Sequence, residues 1–259
     1  MTAAADRSGD ALVVKDLSVR YGTNLALAGV SFRSGWGELI AVIGPNGAGK
    51  STLFKAMTGL VPFSGAVQLA GDSCHHGANR ACAAYLPQRA DIDISFPITV
   101  GQLVLSGRRP FLAPWRRPRS RDRAVVADAL AEVGLADREP EPIANLSGGQ
   151  LQRAFVARAI AQEAEVLLLD EALAGVDAPN TVELVSLFER LAGDGRTIIV
   201  ATHDLALTRR HFERCLAING GLVADGAPDH VLDTASLDVI FGSASRACAA
   251  VDRPLEAMR

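Results

Sequence analysis

Short apolar runs punctuate the chain and predict its elements. Residues 39–43, LIAVI, carry no polar side chain and are partly β-branched, the pattern of a strand buried on both faces of a parallel sheet. A glycine-rich stretch and then KSTLFK follow, so residues 39–55 predict strand, loop and helix in succession. EVLLLDE at 165–171 and TIIVATHDL at 197–205 predict two more buried strands, the first ending in two carboxylates and the second leading to an imidazole. Between Gln88 and LLLD the pattern changes. ITVGQLVLSG and RAVVADALAEVGLA have helical periodicity and no strong strand pattern, and ARAIAQEAE after NLSGGQLQR also reads as helix. NGGLVADG at 219–226 predicts a hairpin around Gly220-Gly221.

Composition bounds what these elements can build. The 259 residues are 49% hydrophobic and 21% charged with a net charge of −3, an ordinary globular balance that can bury a core. No internal repeat stands out, so the length suits one large domain or one domain with an inserted subdomain. The N-terminal MTAAADRSGD lacks a basic segment followed by an apolar one, so no secretory signal is read and a cytosolic location is expected. No stretch approaches the roughly 20 apolar residues of a spanning helix, since AMTGLVPFSGAVQLAG is broken by Gly59, Pro62, Gly65 and Gln68. Any membrane role therefore needs a partner. Cys74, Cys82, Cys215 and Cys248 show no CxxC spacing and imply reduced thiols. Cys74-His75-His76 reads as a solvated loop rather than a ligand site, because adjacent residues rarely converge on one ion without further ligands.

The chemistry lies at the ends of the apolar runs. Gly44, Gly49, Lys50 and Ser51 fit G-x-x-x-x-G-K-[ST], whose backbone N–H groups and helix start can wrap a polyphosphate. Lys50 would then meet the β- and γ-phosphates, and Ser51 would ligate Mg²⁺. Asp170, at a strand's carboxyl edge, is placed to hold the metal's hydration shell. Glu171 beside it is a candidate to orient or deprotonate an attacking water. His203 lies where ligands collect in a parallel sheet and could reach a γ-phosphate. Ser147 is a good helix N-cap, yet Gly148 and Gly149 in the turn it caps are costly helix residues.

The order GPNGAGKST, YLPQ, NLSGGQ, LLLDE, GVD and ATHD resembles the ATPase subunit of ATP-binding cassette transporters, over roughly Leu12 to Asp229. The resemblance implies an α/β fold. A P-loop core (12–90 and 159–228) would carry an N-terminal antiparallel β subdomain, an inserted α-helical subdomain (91–158) and a C-terminal tail (229–259). It implies ATP and Mg²⁺ as ligands. Tyr21 in VRYG matches the aromatic that stacks on adenine, and Gly44, Asn46, Gly47, Gly49, Lys50, Ser51 and Thr52 match the phosphate loop. Gln88 matches the glutamine that touches Mg²⁺ or water and signals to the membrane partner, so Ser51, Gln88 and Asp170 form the metal set. Glu171, His203 and Gln88 form the catalytic set. Ser147, Gly148, Gly149, Gln150 and Asp177 would act on nucleotide held by a second copy, because each chain supplies half of each site in a head-to-tail homodimer. The glycines would then let backbone N–H groups approach a γ-phosphate already enclosed by the neighbour's P-loop. The family usually has proline after the Asp-Glu pair. Ala172 stands there instead, which is expected to loosen the 174–177 loop but to spare hydrolysis, since every charged group remains.

DIDISFPITVGQLVLSGR after Gln88 resembles ATPase subunits of manganese, zinc and iron-type metal importers. That likeness implies an integral membrane permease, an extracytoplasmic substrate-binding protein and a peripheral position on the cytoplasmic face of the membrane. Phe96, Ile98 and Val100 would either meet the permease or pack inside the helical subdomain. From the short stretch after the hairpin, the long C-terminal regulatory domain of several sugar, molybdate or methionine importer ATPases is not expected here. RRPFLAPWRRPRSRDR at 108–123 reads as a solvated basic loop near the membrane partner rather than a lipid contact, and the acidic net charge argues against nucleic acid. An iron-chelate or haem importer, an exporter, and a non-transport cassette ATPase remain alternatives.

Overall fold

The structure is a computed structural model that describes residues 9–69, 72–73, 82–88, 96–112 and 117–241. The buried runs build a six-stranded sheet in the order β10-β9-β3-β8-β7-β6. Its strands are β3 (Leu39–Ile43), β6 (Ala83–Leu86), β7 (Val166–Asp170), β8 (Thr197–Ala201), β9 (Arg214–Ile218) and β10 (Leu222–Gly226). All neighbours pair in parallel except the edge strand β10, which returns antiparallel from β9 through the turn at Gly220-Gly221, as the hairpin pattern predicts. Parallel pairing explains why β7 and β8 are buried at every position, since both faces of the sheet are covered.

Successive residues of these strands enter different cores, because side chains alternate across a sheet. Ala41, Ile43, Leu167, Leu169, Ile198 and Val200 face one core. Helices α2 (Val100–Ser106), α3 (Ser120–Glu132), α4 (Gly148–Ala161) and α5 (Ala178–Gly193) contribute to it. Ile40, Val42, Leu168 and Ile199 face the other, which α1 (Lys50–Met57) shares with a four-stranded antiparallel sheet. That sheet has the order β2-β1-β4-β5, from β1 (Leu12–Tyr21), β2 (Asn24–Ser34), β4 (Ser64–Leu69) and β5 (Asp72–Ser73). The short α6 (Leu205–His211), α7 (Pro228–Val231) and α8 (Thr234–Phe241) follow β8 and β10. The α/β fold with an antiparallel sheet and a group of helices agrees with the expected class.

Helices α2, α3 and α4 pack on one another through Val104, Val126, Leu130 and Phe155. Thr99 caps α2 with a reciprocal Thr99–Gln102 capping box. Helix α4 also lies against β6 and runs unbroken through residue 158 to Ala161, so one continuous helix joins the helical group to the sheet. Among the described residues, no helix is long and apolar enough to cross a membrane.

Two expectations need correction in detail. Arg108, read as part of a solvated loop, is only 3% exposed. Its Nε donates to Asp122 Oδ1 at 3.3 Å and its Nη1 to Ala161 O at 2.9 Å and Glu163 Oε2 at 2.5 Å, with the Phe111 ring centroid 4.3 Å from the guanidinium carbon. Burial is tolerated because two carboxylates and a carbonyl replace water around the cation. The basic run is not one loop either. Residues Arg109–Phe111 form a 3₁₀ turn, and Ser120 begins α3 with the Arg119 N–H donating to Asp122 Oδ2 at 2.9 Å. Of the three residues after Gln88, Val100 is fully buried and Ile98 packs at the margin of the core, as the packing reading expects, while Phe96 is 62% exposed. Cys74, His75, His76 and Trp115 lie outside the described residues.

Candidate active site

Strand β3 delivers its chain directly into the loop Gly44–Gly49, and Lys50 opens α1. Gly49 occupies the N-cap position with φ 103°, so it offers no side chain to the helix's first N–H groups. A Cβ there would sit 2.5 Å from Leu27 Cδ2. An uncapped helix start with no acidic residue in its first turn presents unpaired N–H groups and the positive end of the helix dipole. Lys50 Nζ donates back to Gly44 O at 2.8 Å and Pro45 O at 3.1 Å. Burial lowers the ammonium's pKa, and the nearby Glu171 and Asp170 carboxylates oppose that effect.

Asn46 to Thr52 line a cavity of about 330 Å³ together with Ala26, Gln88 and Glu171. Gln88 reaches it because β6 ends beside β7, with Leu86 paired to Leu169. Asp170, at the end of β7, is 1% exposed. Its Oδ2 accepts from the Tyr85 hydroxyl at 3.1 Å, while its buried Oδ1 has no protein partner. A buried carboxylate oxygen without a donor is costly. Such an atom, on a carboxylate near enough to act on the phosphate-loop lysine, is a good fit for a hard divalent cation, which prefers oxygen ligands.

Glu171 adopts φ +50°, a left-handed conformation costly for a residue with a side chain. Its N–H donates to Ala201 O at 3.1 Å, and its carbonyl accepts from the Ala174 N–H at 2.9 Å. Strain of roughly 1–3 kcal/mol held by such surroundings is typical of functional positions. Ala172, the residue replacing proline, is 1% exposed and packs in the core, which fixes the start of the following loop. His203 stands two residues beyond Ala201, which pairs with Asp170 across β7 and β8. It is exposed between the buried Thr202 and the exposed Asp204, whose carboxylate caps α6 by accepting from the Leu207 N–H at 2.9 Å.

Other expected residues lie away from this cavity's lining. Tyr21 ends β1, 47% exposed, at the β1–β2 turn. Ser147 Oγ accepts from the Gln150 N–H at 3.3 Å, and Gln150 Oε1 accepts from the Ser147 N–H at 2.9 Å, a full capping box at α4. Asp177 caps α5, and hydrogen bonds from the Asn180 backbone and amide hold its carboxyl below the usual range.

Three residues join these pieces without an evident sequence signal. Asn180 donates to both Asp177 oxygens at 2.8 and 2.9 Å and accepts from Arg153 Nη2 at 2.9 Å. Arg153 also pairs with Glu183 at 3.0 Å. A Cβ on Gly149 would lie 2.7 Å from Asn180 Cγ, so this glycine has a reason inside its own chain. The third is Tyr85, whose one hint is a phenol in an apolar strand three residues before Gln88. Chemically, the cavity can take a polyphosphate with a divalent cation and place a carboxylate, Glu171, beside them.

Comparison with known proteins agrees. The ABC transporter family model matches residues 27–174. The manganese transport system ATP-binding protein MntB of Listeria monocytogenes is 37% identical over 238 residues, 92% of this chain and 98% of that protein. The zinc transport system ATP-binding protein TroB of Treponema pallidum is 41% identical over 218 residues, 84% of this chain and 81% of that protein. Among solved structures, an ATP-binding cassette of an ABC transporter in its ADP conformation superposes with a TM-score of 0.80 at 21% identity, covering 91% of this chain and 100% of that one.

Proposed function

The chain belongs to the ABC transporter family as an ATP-hydrolysing subunit, and on that premise we propose that it powers uptake of manganese or zinc through a separate membrane-spanning subunit. The convergence of the uncapped α1 start, Lys50, Gln88 and Glu171 on one cavity carries the hydrolytic part of this reading. The manganese and zinc transport names of the relatives carry the substrate.

In this reading Gly44, Asn46, Gly47, Gly49, Lys50 and Thr52 bind the phosphates of ATP, with Lys50 as the fixed counter-charge. Ser51, Asp170 and Gln88 would hold Mg²⁺, which neutralises phosphate charge when bound. The unpartnered Asp170 Oδ1 supports that assignment. Glu171 takes a proton from, or orients, the attacking water, and its held left-handed backbone keeps the carboxylate at the cavity. His203, at the same sheet edge, bonds the γ-phosphate. Tyr21 stacks on the adenine.

One chain has half of each site. Ser147, Gly148, Gly149, Gln150 and Asp177 would close on nucleotide held by a second copy, in a head-to-tail pair that ATP draws together and hydrolysis releases. The Asn180 bridge between the two capped helix starts supports their movement as one face.

The division into a core (12–90 and 159–228), a helical subdomain (91–158) and a tail (229–259) belongs to the same proposal. A groove of about 590 Å³ lined by Leu60, Tyr85, Pro87, Pro110 and Arg158 lies between α1, β6 and the helical group and would receive the permease. Burial lowers the pKa of Arg158 there, and its Nη2 donates to Tyr85 O at 3.0 Å. The chain would thus sit on the cytoplasmic face of the membrane, with a substrate-binding protein on the far side. The test is co-reconstitution with the membrane subunit in vesicles and measurement of ATP-dependent uptake of radiolabelled Mn²⁺ or Zn²⁺. Uptake that stops with Glu171→Gln is expected. ATP hydrolysis without uptake of either ion would overturn the substrate and leave the motor intact.

A further inference from the structure

Asp170 needs more than its place on β7 to serve a cation. A carboxylate can turn about its last bond, and Oδ1 has no protein donor to hold it. What fixes the group is the Tyr85 hydroxyl, which donates to Oδ2 at 3.1 Å across 85 residues of chain. The phenol is placed by the parallel pairing of β6 and β7, in which Tyr85 lies opposite Leu168. The Tyr85 carbonyl is held in turn by Arg158 Nη2 at 3.0 Å, from the α4 helix. The same residue forms part of the wall of the groove of about 590 Å³ beside Pro87, Pro110 and Arg158.

We propose that Tyr85 is a positioning residue for the divalent-cation site: it commits Oδ2 of Asp170 to a hydrogen bond and thereby presents Oδ1 to the metal. This rests on the reading of Asp170 as a carboxylate serving the cation of the bound nucleotide. The phenol itself need touch neither metal nor nucleotide. An ordering role of this kind raises metal affinity by removing alternative carboxylate orientations, as partners behind other metal ligands do. Because Tyr85 also belongs to the groove wall, a membrane subunit seated there would meet the residue that sets the metal carboxylate.

The experiment uses the full-length chain with a non-hydrolysable ATP analogue and Mn²⁺ as the spectroscopic stand-in for Mg²⁺. Free Mn²⁺ is counted by its electron paramagnetic resonance signal in wild type, Tyr85→Phe and Asp170→Asn. Binding of a fluorescent ATP analogue without metal is measured alongside. The phenylalanine keeps the ring and its packing, so metal-free nucleotide affinity is expected to stay at the wild-type value and to report an intact phosphate loop. Mn²⁺ affinity in Tyr85→Phe is expected to fall about tenfold, the lower end of the range that loss of such supporting partners produces, and further in Asp170→Asn. Wild-type Mn²⁺ affinity in Tyr85→Phe, with a clear loss in Asp170→Asn, would overturn the role of Tyr85 alone. Wild-type Mn²⁺ affinity in both variants would instead overturn the metal assignment of Asp170 beneath it. An equal loss of metal-free nucleotide binding in Tyr85→Phe would also overturn the proposal, since the hydroxyl would then be supporting the fold of the loop.

Discussion

Gly149→Ala sets two effects of similar size against each other. Glycine inside a helix costs about 1 kcal/mol relative to alanine, so the exchange should stabilise α4 on propensity alone. The new Cβ, however, would lie 2.7 Å from Asn180 Cγ and 2.8 Å from its Oδ1, closer than such atoms can stay. Asn180 cannot turn away freely. Its Oδ1 accepts from Arg153 at 2.9 Å and its Nδ2 donates to the Asp177 carboxylate at 2.8 and 2.9 Å. The hydrogen bond from the charged Arg153, which is only partly exposed, contributes roughly 1.5–3 kcal/mol at most, and those to the exposed Asp177 add little that water does not also offer. The clash should therefore win, leaving Gly149→Ala about 1–2 kcal/mol less stable than wild type. Urea unfolding of Gly149→Ala, Asn180→Ala and the double variant measures this as a cycle. With Asn180 shortened the clash disappears, so the alanine at 149 should turn from destabilising to neutral or stabilising. Turnover of the single variant should fall, because the faces carried by α4 and Asp177 lose their common support. A single variant more stable than wild type, with normal turnover, would refute the reasoning.

Lys50→Ala should lose ATP binding outright in an equilibrium fluorescence assay, since the phosphates lose their fixed counter-charge. Asp122→Asn should destabilise the fold by roughly 3 kcal/mol at pH 7, as removing one member of a buried ion pair does. The Arg119 N–H, with the Arg108 guanidinium, holds the Asp122 carboxyl below its ordinary pKa. Its contribution is therefore present above the unfolded value and is lost as the pH falls through the folded one, so the gap between variant and wild type should narrow below about pH 4. Burial, with Asp225 nearby, pushes the Cys215 thiol up to about 12. Iodoacetamide at pH 8 should leave the Cys215 peptide unlabelled in the native chain and label it after denaturation, as peptide mass spectrometry would read.

The parts of the site legible in the sequence were those made by consecutive residues. LIAVIGPNGAGKST declares its strand, loop and helix together because a phosphate loop is a local object, and Ser147 caps α4 as its position before two glycines suggests. The hairpin at Gly220-Gly221 was equally local. Partnerships across long separations were not legible. Tyr85 meets Asp170 only because β6 and β7 pair in parallel, and Arg153 meets Asn180 only because α4 packs beside α5. Arg108 misled for the same reason: in a run of arginines and prolines its charge reads as solvated, and its carboxylate partners Asp122 and Glu163 are 14 and 55 residues away. Gly149 was equally opaque: the Asn180 side chain that crowds it stands 31 residues away on α5, and nothing in NLSGGQ announces that contact.

The central claim is that two of these chains enclose ATP and that Glu171 completes its hydrolysis. Size exclusion with light scattering on Glu171→Gln tests it directly, with Mg²⁺ and ATP or with neither. The account predicts a monomer without nucleotide and a stable dimer with it, retaining ATP and turning over negligibly. A variant that remains monomeric with Mg²⁺ and saturating ATP, or that hydrolyses ATP at the wild-type rate, would contradict it.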